Sequence, residues 1–512
     1  MNFLSLIKSE SYKRGTLLSV LFNMVSKGIL FLLTILIARY FGSNIKTDIY
    51  FFVFGTMVLL SGFINSIDTA VLIPESMRLR QKEGDEKAMA FLNYFLLIYF
   101  IIGILFTVAI YFFGTIIFEL ISKFSQADIV TYHNYFWLGS LFFIFQILTG
   151  YINTILTSLK FFSIPMIISG INSCIVIAAI FLLKAEYDVL SIFIGGLFAY
   201  AINLAFLFFV MRKIAGWKFI IQRDGIKKTV GNNIFYAALG QVATVASSML
   251  PLYLLSGFGS GIISVMNYGK NIADIPNTLV TSQFANVSGI KLNEQVARQD
   301  YTGMNETFFS TSKLLVFILV PVGFFVFVFA RPIVELFYLR GDFTISSAQG
   351  AAVFLQLLGL SVFAIALNAM VTRVFIAMQA MKQAFFYQVI MNVLLIIAIW
   401  LAVKYYGAYG YGYAIIAANL INLAGMFFMC RIIVPQLNYA ALMRYTGLII
   451  LINGIIASLV YYAAAYLPIN VVVKMTVMFA CWLFILMLLY KILHLDFNIS
   501  LWLKKQRNGK PD

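Results

Sequence analysis

Residues 16–42, TLLSVLFNMVSKGILFLLTILIARYFG, form an apolar run of membrane length that carries one charge, Lys27, near its middle. A lysine at the centre of a bilayer costs about 2.5–3.5 kcal/mol, so such residues face a bundle interior or a wet cavity and mark the path of a substrate or ion. The other polar residues agree with that placement. At about 100° per residue, Ser19, Asn23, Ser26, Lys27 and Thr34 share one stripe of the helix, with Leu, Ile, Phe and Val over the rest. The competing explanation is a lysine that snorkels to the interface. Lys27 lies roughly 15 Å along the axis from either end of the run, which argues against it.

The whole chain has the same character. Of its 512 residues, 62% are hydrophobic and only 11% are charged, which sets it apart from soluble domains and marks an all-α polytopic membrane protein. The net charge of +16 does not indicate nucleic acid, because the basic residues form no single patch and alternate between loops. Cys174, Cys430 and Cys481 lie singly in apolar runs, with no disulfide or metal spacing. The basic start at Lys8, Lys13 and Arg14 precedes a run too long for a signal core and without a small-residue cleavage site, so the first helix is expected to stay in the protein.

About fourteen spans of roughly twenty residues can be drawn, near 16–40, 47–73, 89–114, 134–158, 163–184, 188–211, 233–256, 261–284, 313–330, 350–377, 383–404, 409–432, 445–466 and 471–491. On this count one side of the membrane collects Lys13, Arg14, Arg78, Arg80, Lys82, Lys87, Arg212, Lys213, Lys218, Lys291, Arg298 and the tail lysines, against Arg39, Lys46, Lys123, Lys184, Arg331, Arg340 and Lys404 on the other. The bias predicts both termini in the cytoplasm. Phe41-Gly42-Ser43 closes the first span and Phe258-Gly259-Ser260 the seventh, each before a short outer turn and a polar helix. This weak echo suggests a parallel repeat, with two pseudo-symmetric six-helix lobes and two further C-terminal helices. The expected organisation is an N-terminal lobe 1–211, an amphipathic cytoplasmic linker 212–232, a C-terminal lobe 233–432, two helices in 433–494 and a basic tail 495–512. The linker mixes basic residues with Trp217, Phe219, Ile220 and Ile221, as an interfacial segment lying on anionic lipid would.

Polar residues concentrate in the first two spans of each proposed repeat. Ser61, Asn65, Asp68 and Thr69 share a face of the second span, and Gln241, Thr244 and Ser248 a face of the seventh. In the eighth, Asn267, Lys270, Asn271, Asp274, Asn277, Thr278, Thr281 and Ser282 fit within about 140° of the wheel, and Pro276 interrupts the backbone. Faces so patterned are expected to line a shared cavity. Lys27 and Lys270 would hold a phosphate, with Asn23, Ser26, Asn65, Asn267, Asn271 and Gln241 contacting the rest of a polar cargo. Asp68 and Asp274 are candidates for Na⁺ or H⁺ coupling. Two quieter readings stand beside these: Lys270 and Asp274 are four apart and can neutralise each other, and Asp68 lies toward the cytoplasmic end of its span. Asp48 opens the second span, where a carboxylate suits a helix N-terminus, so a structural or gating role is expected. His133 and His494 lie far apart, and there is no GxxxxGK[ST] loop or metal-spaced cluster, so neither an enzyme, a metal site nor a bound cofactor is expected.

Several stretches carry a family resemblance: Ser26-Lys27, Ala38-Arg39-Tyr40-Phe41-Gly42 followed by Asp48, Ala330–Phe337 (ARPIVELF) running to Arg340-Gly341-Asp342-Phe343, Arg373-Val374-Phe375 with Gln379, and Tyr406-Gly407-Ala408-Tyr409-Gly410 leading to Asn419 and Asn422. On these, over most of residues 15–432, the chain resembles the MurJ/MviN-like flippases of the multidrug/oligosaccharidyl-lipid/polysaccharide exporter superfamily, and 330–343 is the most specific piece. The resemblance implies fourteen helices, a cationic central cavity and outward movement of a polyprenyl-pyrophosphate-linked saccharide by alternating access, with the last two helices forming a groove for the lipid tail. It also places Lys27 and Lys270 at positions where the family has cavity arginines, and Asp48 at an acidic family position. Leu33 and Thr34 replace an Arg-Asp pair of close relatives, Leu59-Leu60 fall where basic residues are expected, and the loop after Gln379 lacks the usual Asp-Thr and Thr-Pro pairs.

The expected protein is therefore a flippase of the bacterial inner membrane. Its cargo is a lipid-linked glycan, either the peptidoglycan precursor lipid II or a surface-polysaccharide repeat unit. It works as a monomer among membrane lipids, driven by the membrane potential or by Na⁺ or H⁺. The alternatives are a cation-coupled multidrug antiporter of the same superfamily, in which cavity carboxylates would dominate, and a non-transporting membrane scaffold.

Overall fold

A computed structural model describes residues 12–220, 228–466 and 470–492. Those residues are helical almost throughout. The helices are α1 (Tyr12–Phe41), α2 (Ile45–Ile67), α3 (Ile73–Glu83), α4 (Asp85–Ile121), α5 (Gln126–Thr131), α6 (His133–Ser140), α7 (Phe142–Ser158), α8 (Ile164–Tyr187), α9 (Leu190–Phe209), α10 (Lys228–Leu255), α11 (Ile262–Ala273), α12 (Ser282–Ala297), α13 (Tyr301–Tyr338), α14 (Ile345–Gly359), α15 (Val362–Ala377), α16 (Met381–Tyr406), α17 (Gly410–Ile433), α18 (Tyr439–Tyr466) and α19 (Val471–Ile492). Among the described residues, 12 helical stretches are long and apolar enough to cross a membrane. The longest, Met381–Ile433, folds back on itself as the packed pair α16 and α17. The α11–α12 stretch falls outside the apolar set because of its polar residues. These two features account for both spans by which that number falls short of the sequence expectation.

Apolar side chains such as Phe100, Leu105, Tyr111 and Phe112 of α4 stand exposed on the protein surface, as a hydrocarbon solvent requires. Breaks in the helices have local causes. Pro321 and Pro332 lie inside α13, and Phe329 between them leaves helical geometry. One π-helical turn, Asp68–Leu72, joins α2 to α3, and another, Asn277–Thr281, follows Pro276 and leads into α12.

The chain forms two compact units, residues 1–265 with 340–347, and residues 266–339 with 348–512. Both repeat the same internal pairings in sequence order. In the first, α7 packs on α2, α4 and α9, and α8 on α9; in the second, α15 packs on α12, α13 and α17, and α16 on α17. The first unit also contains α10, packed along α2, while α1 packs along α8. The start of the expected linker differs from a segment lying on lipid. Trp217 is buried, its indole N–H donating to Asn93 Oδ1 at 2.7 Å, and the Asn93 amide donates to the carbonyls of Lys218 and Ile220. A buried indole needs an acceptor, and α4 supplies it; Phe219 and Ile220 remain exposed. Residues 221–227 of that linker and the basic tail 495–512 lie outside the described residues.

Two stretches that carry the family resemblance meet in the first unit. The Asp342 N–H donates to the Arg39 carbonyl at 2.9 Å, and the hydroxyls of Ser43 and Ser347 are 2.5 Å apart. Gly42 and Gly341 have φ of +62° and +63°, and a Cβ on Gly341 would stand 2.1 Å from the Arg39 carbonyl oxygen. Gly341→Ala is expected to cost about 1–3 kcal/mol through the left-handed backbone alone, with the clash added, and to lower the melting temperature of the purified protein. An unchanged melting curve would show that the 340–347 turn is not held there.

Candidate functional site

The α1 stripe does not point one way. Ser26 is buried and donates to the Met166 carbonyl of α8 at 2.5 Å, and Gly170 admits it: a Cβ there would lie 2.9 Å from Ser26 Oγ. Thr34 is buried and bonds back to Leu30. Ser26, expected to contact cargo, therefore holds α1 to α8 instead, since a hydroxyl in an apolar seam takes the nearest carbonyl. Asn23 is half-buried and Lys27 is exposed. Lys27 forms no ion pair among the described residues.

The second span places its carboxylates differently. Asn44 caps α2 by accepting from the N–H groups of Lys46 and Thr47, which leaves Asp48 unused by its own helix end. Asp48 is buried and turns instead to the start of α11 in the same unit, accepting from Gly261 N at 2.6 Å, Ser264 N at 2.7 Å and Ser264 Oγ at 2.6 Å. It is a capping residue, but for a helix more than 200 positions away in the chain. Asp68 opens the π-helical turn, fully buried, with Tyr99 donating to Oδ1 at 2.5 Å and Oδ2 without a hydrogen-bond partner. Asn65 packs against Gly150 of α7, where a Cβ would stand 2.6 Å from its amide. Gln241 on α10 is half-buried.

In the second unit, Lys270 Nζ lies 2.6 Å from Asp274 Oδ2, and both side chains are partly exposed. The i,i+4 pairing makes this site an ion pair rather than a lone cation. Asn267 and Asn271 are half-buried on the same helix.

Two polar cavities escaped sequence reasoning. One, of about 280 Å³, lies among α2, α7, α8 and α9. The other, of about 320 Å³, lies among α15, α16 and α17 and is lined by Asn368, Thr372, Tyr387, Asn419 and Asn422. Each lining helix contributes only a few polar residues to an apolar span, so no stripe marks them; the family stretch that ends on Asn419 and Asn422 was the one available signal.

A helical protein of repeated membrane spans, with charged and amide side chains set within them, is a multi-pass membrane transporter. The chain belongs to the lipid II flippase MurJ family, whose model matches residues 37–492. It is 22% identical over 402 residues to a protein of Borreliella burgdorferi described as a probable lipid II flippase MurJ, covering 78% of this chain and 79% of that one. A solved structure of lipid II flippase MurJ in an inward closed conformation superposes with a TM-score of 0.78 at 19% identity, over 93% of this chain and 99% of the other. An inward-facing multidrug resistance MATE transporter of the MOP superfamily gives 0.61 at 14% identity, over 83% and 96%. At these identities the structural likeness establishes the fold.

Asp48→Ala would leave two backbone N–H groups and the Ser264 hydroxyl without their acceptor. The expected cost is at least about 2 kcal/mol, read as a lower melting temperature and faster proteolysis at 256–264. A variant as stable as the parent would remove Asp48 from any structural or gating role.

Proposed function

We propose that this protein moves a polyprenyl-pyrophosphate-linked glycan from the inner to the outer leaflet of the bacterial inner membrane by alternating access. The cargo is lipid II or a surface-polysaccharide repeat unit. The observation that carries the reading is Lys27, an exposed cation in the middle of an apolar span with no carboxylate beside it among the described residues. A lysine there serves as a point charge for a phosphate group. Lys270 plays a secondary part, because a pyrophosphate has to compete with Asp274 for its ammonium group. Asn23, Asn65, Gln241, Asn267 and Asn271 supply the neutral contacts. The carboxylates favour this reading over a drug antiporter: Asp48 caps a helix, Asp274 is paired, and Asp68 is buried against Tyr99.

Both termini lie in the cytoplasm on this reading, the chain acts as a monomer, and residues 1–211 and 233–432 form the two lobes about the linker. An inside-negative potential of 100 mV favours outward movement by roughly 2.3 kcal/mol per negative charge carried. Asp68 is better suited to a proton than to Na⁺, since Tyr99 is the one side chain bonded to it and a metal ion of that type prefers several oxygen ligands.

In proteoliposomes holding the lipid-linked substrate, Lys27→Gln is expected to lower translocation by about ten-fold or more, the equivalent of one charge-assisted contact, with insertion unchanged and Lys27→Arg active. Full activity of Lys27→Gln would overturn the phosphate assignment. Asp274→Asn releases Lys270 from its partner and is expected to tighten binding of the pyrophosphate lipid; weaker binding would mean that the pair, rather than the lysine, is what the site needs.

A further inference from the structure

The cavity among α2, α7, α8 and α9 is lined by Ser61, Gln146, Asn153, Asn172, Tyr200 and Asn203. No acidic or basic side chain is among its lining residues. We propose that this cavity is a sugar subsite, which receives a saccharide ring of the lipid-linked glycan while its pyrophosphate lies at Lys27. The inference rests on the flippase reading and extends it to helices to which that reading gave no part.

The hydrogen-bonding character of the lining decides the ligand class. Ser61 donates to Gln146 Oε1 at 3.1 Å, and Asn203 donates to Asn172 Oδ1 at 3.3 Å. These bonds engage one side of each amide pair. What remains is mixed: the Asn172 amide N–H groups are donors, the Asn153 and Asn203 carbonyl oxygens are acceptors, and the Tyr200 hydroxyl is both. Asn153 Oδ1 is buried without a hydrogen-bond partner. A phosphate calls for donors or cations, and a metal ion for oxygen acceptors, preferably charged. A sugar hydroxyl donates and accepts at one atom, and suits a neutral lining that offers both. Tyr200 adds an aromatic ring to the wall.

The position relative to Lys27 follows from α8. Ser26, the neighbour of Lys27, touches Met166 and Gly170 on one face of that helix. Ser169 and Asn172, in the same stretch of α8, line the cavity on the adjoining face. The cation and the neutral pocket thus flank one helix at one level, the order in which a pyrophosphate and its first sugars follow each other.

The test uses the full chain in lipid nanodiscs and two probes, a polyprenyl pyrophosphate bearing a disaccharide and the same lipid without sugar. Asn172→Leu removes the donors, and Ser169→Phe independently fills the space from the same helix. Each is expected to weaken binding of the glycosylated lipid by about ten-fold, one to two lost hydrogen bonds, and to leave the sugar-free lipid within about two-fold. Lys27→Gln is expected to weaken both. Unchanged binding of the glycosylated lipid to both variants overturns the subsite, as does an equal loss for both lipids. Wild-type protein that binds the two lipids alike also overturns it while leaving the pyrophosphate reading intact. Wild-type protein that binds neither overturns the flippase reading and the subsite with it.

Discussion

In hydrocarbon a polar group has no water to return to, so each one has to be answered by another group of the protein. That constraint explains most of the detail in this structure. Asp48 is answered by three donors at the start of α11, Asp68 by Tyr99, Lys270 by Asp274, and Trp217 by Asn93. Lys27 stands apart from these, exposed where its neighbours are matched. A charge that the fold leaves unmatched in a membrane span is the natural place for a charged cargo to supply the match.

The same constraint joins distant parts of the chain. Gly42 and Gly259 both adopt positive φ, at +62° and +98°, so the two echoing Phe-Gly-Ser turns share a backbone device as well as letters. After the first, Asn44 caps α2 from within its own turn. After the second, α11 is capped by Asp48 of α2. Together with the Arg340–Ser347 turn seated on Arg39 and Ser43, this gathers three family stretches at one end of the first unit. Family-specific residues concentrated at turns make sense physically, since a glycine at positive φ or a carboxylate aimed at backbone N–H groups tolerates no substitute.

Legibility in the sequence followed the range of the interaction. Lys270 with Asp274 was readable as one of two alternatives because i,i+4 neighbours meet on any helix. Ser26 was misassigned: the wheel put it beside Lys27, yet one step of 100° turned its hydroxyl into the seam with α8. Trp217 looked interfacial by composition and proved to be held by an asparagine 124 positions away. Asn153, Asn172 and Asn203 gave no stripe because each lies in a different helix.

The sequence alone determined the class of protein. Runs of apolar residues of membrane length, loops of alternating charge and a lysine in mid-span are consequences of transfer energies, which depend on residue type and spacing and little else. It also contained the family stretches and the weak repeat. The tertiary structure decided which polar residues are structural and which are available: it buried Ser26 and Asp48, paired Lys270, and left Lys27 exposed. The physical reason is that whether a polar side chain is satisfied depends on the group opposite it, and in a bundle that group comes from another helix whose register and rotation no single span encodes.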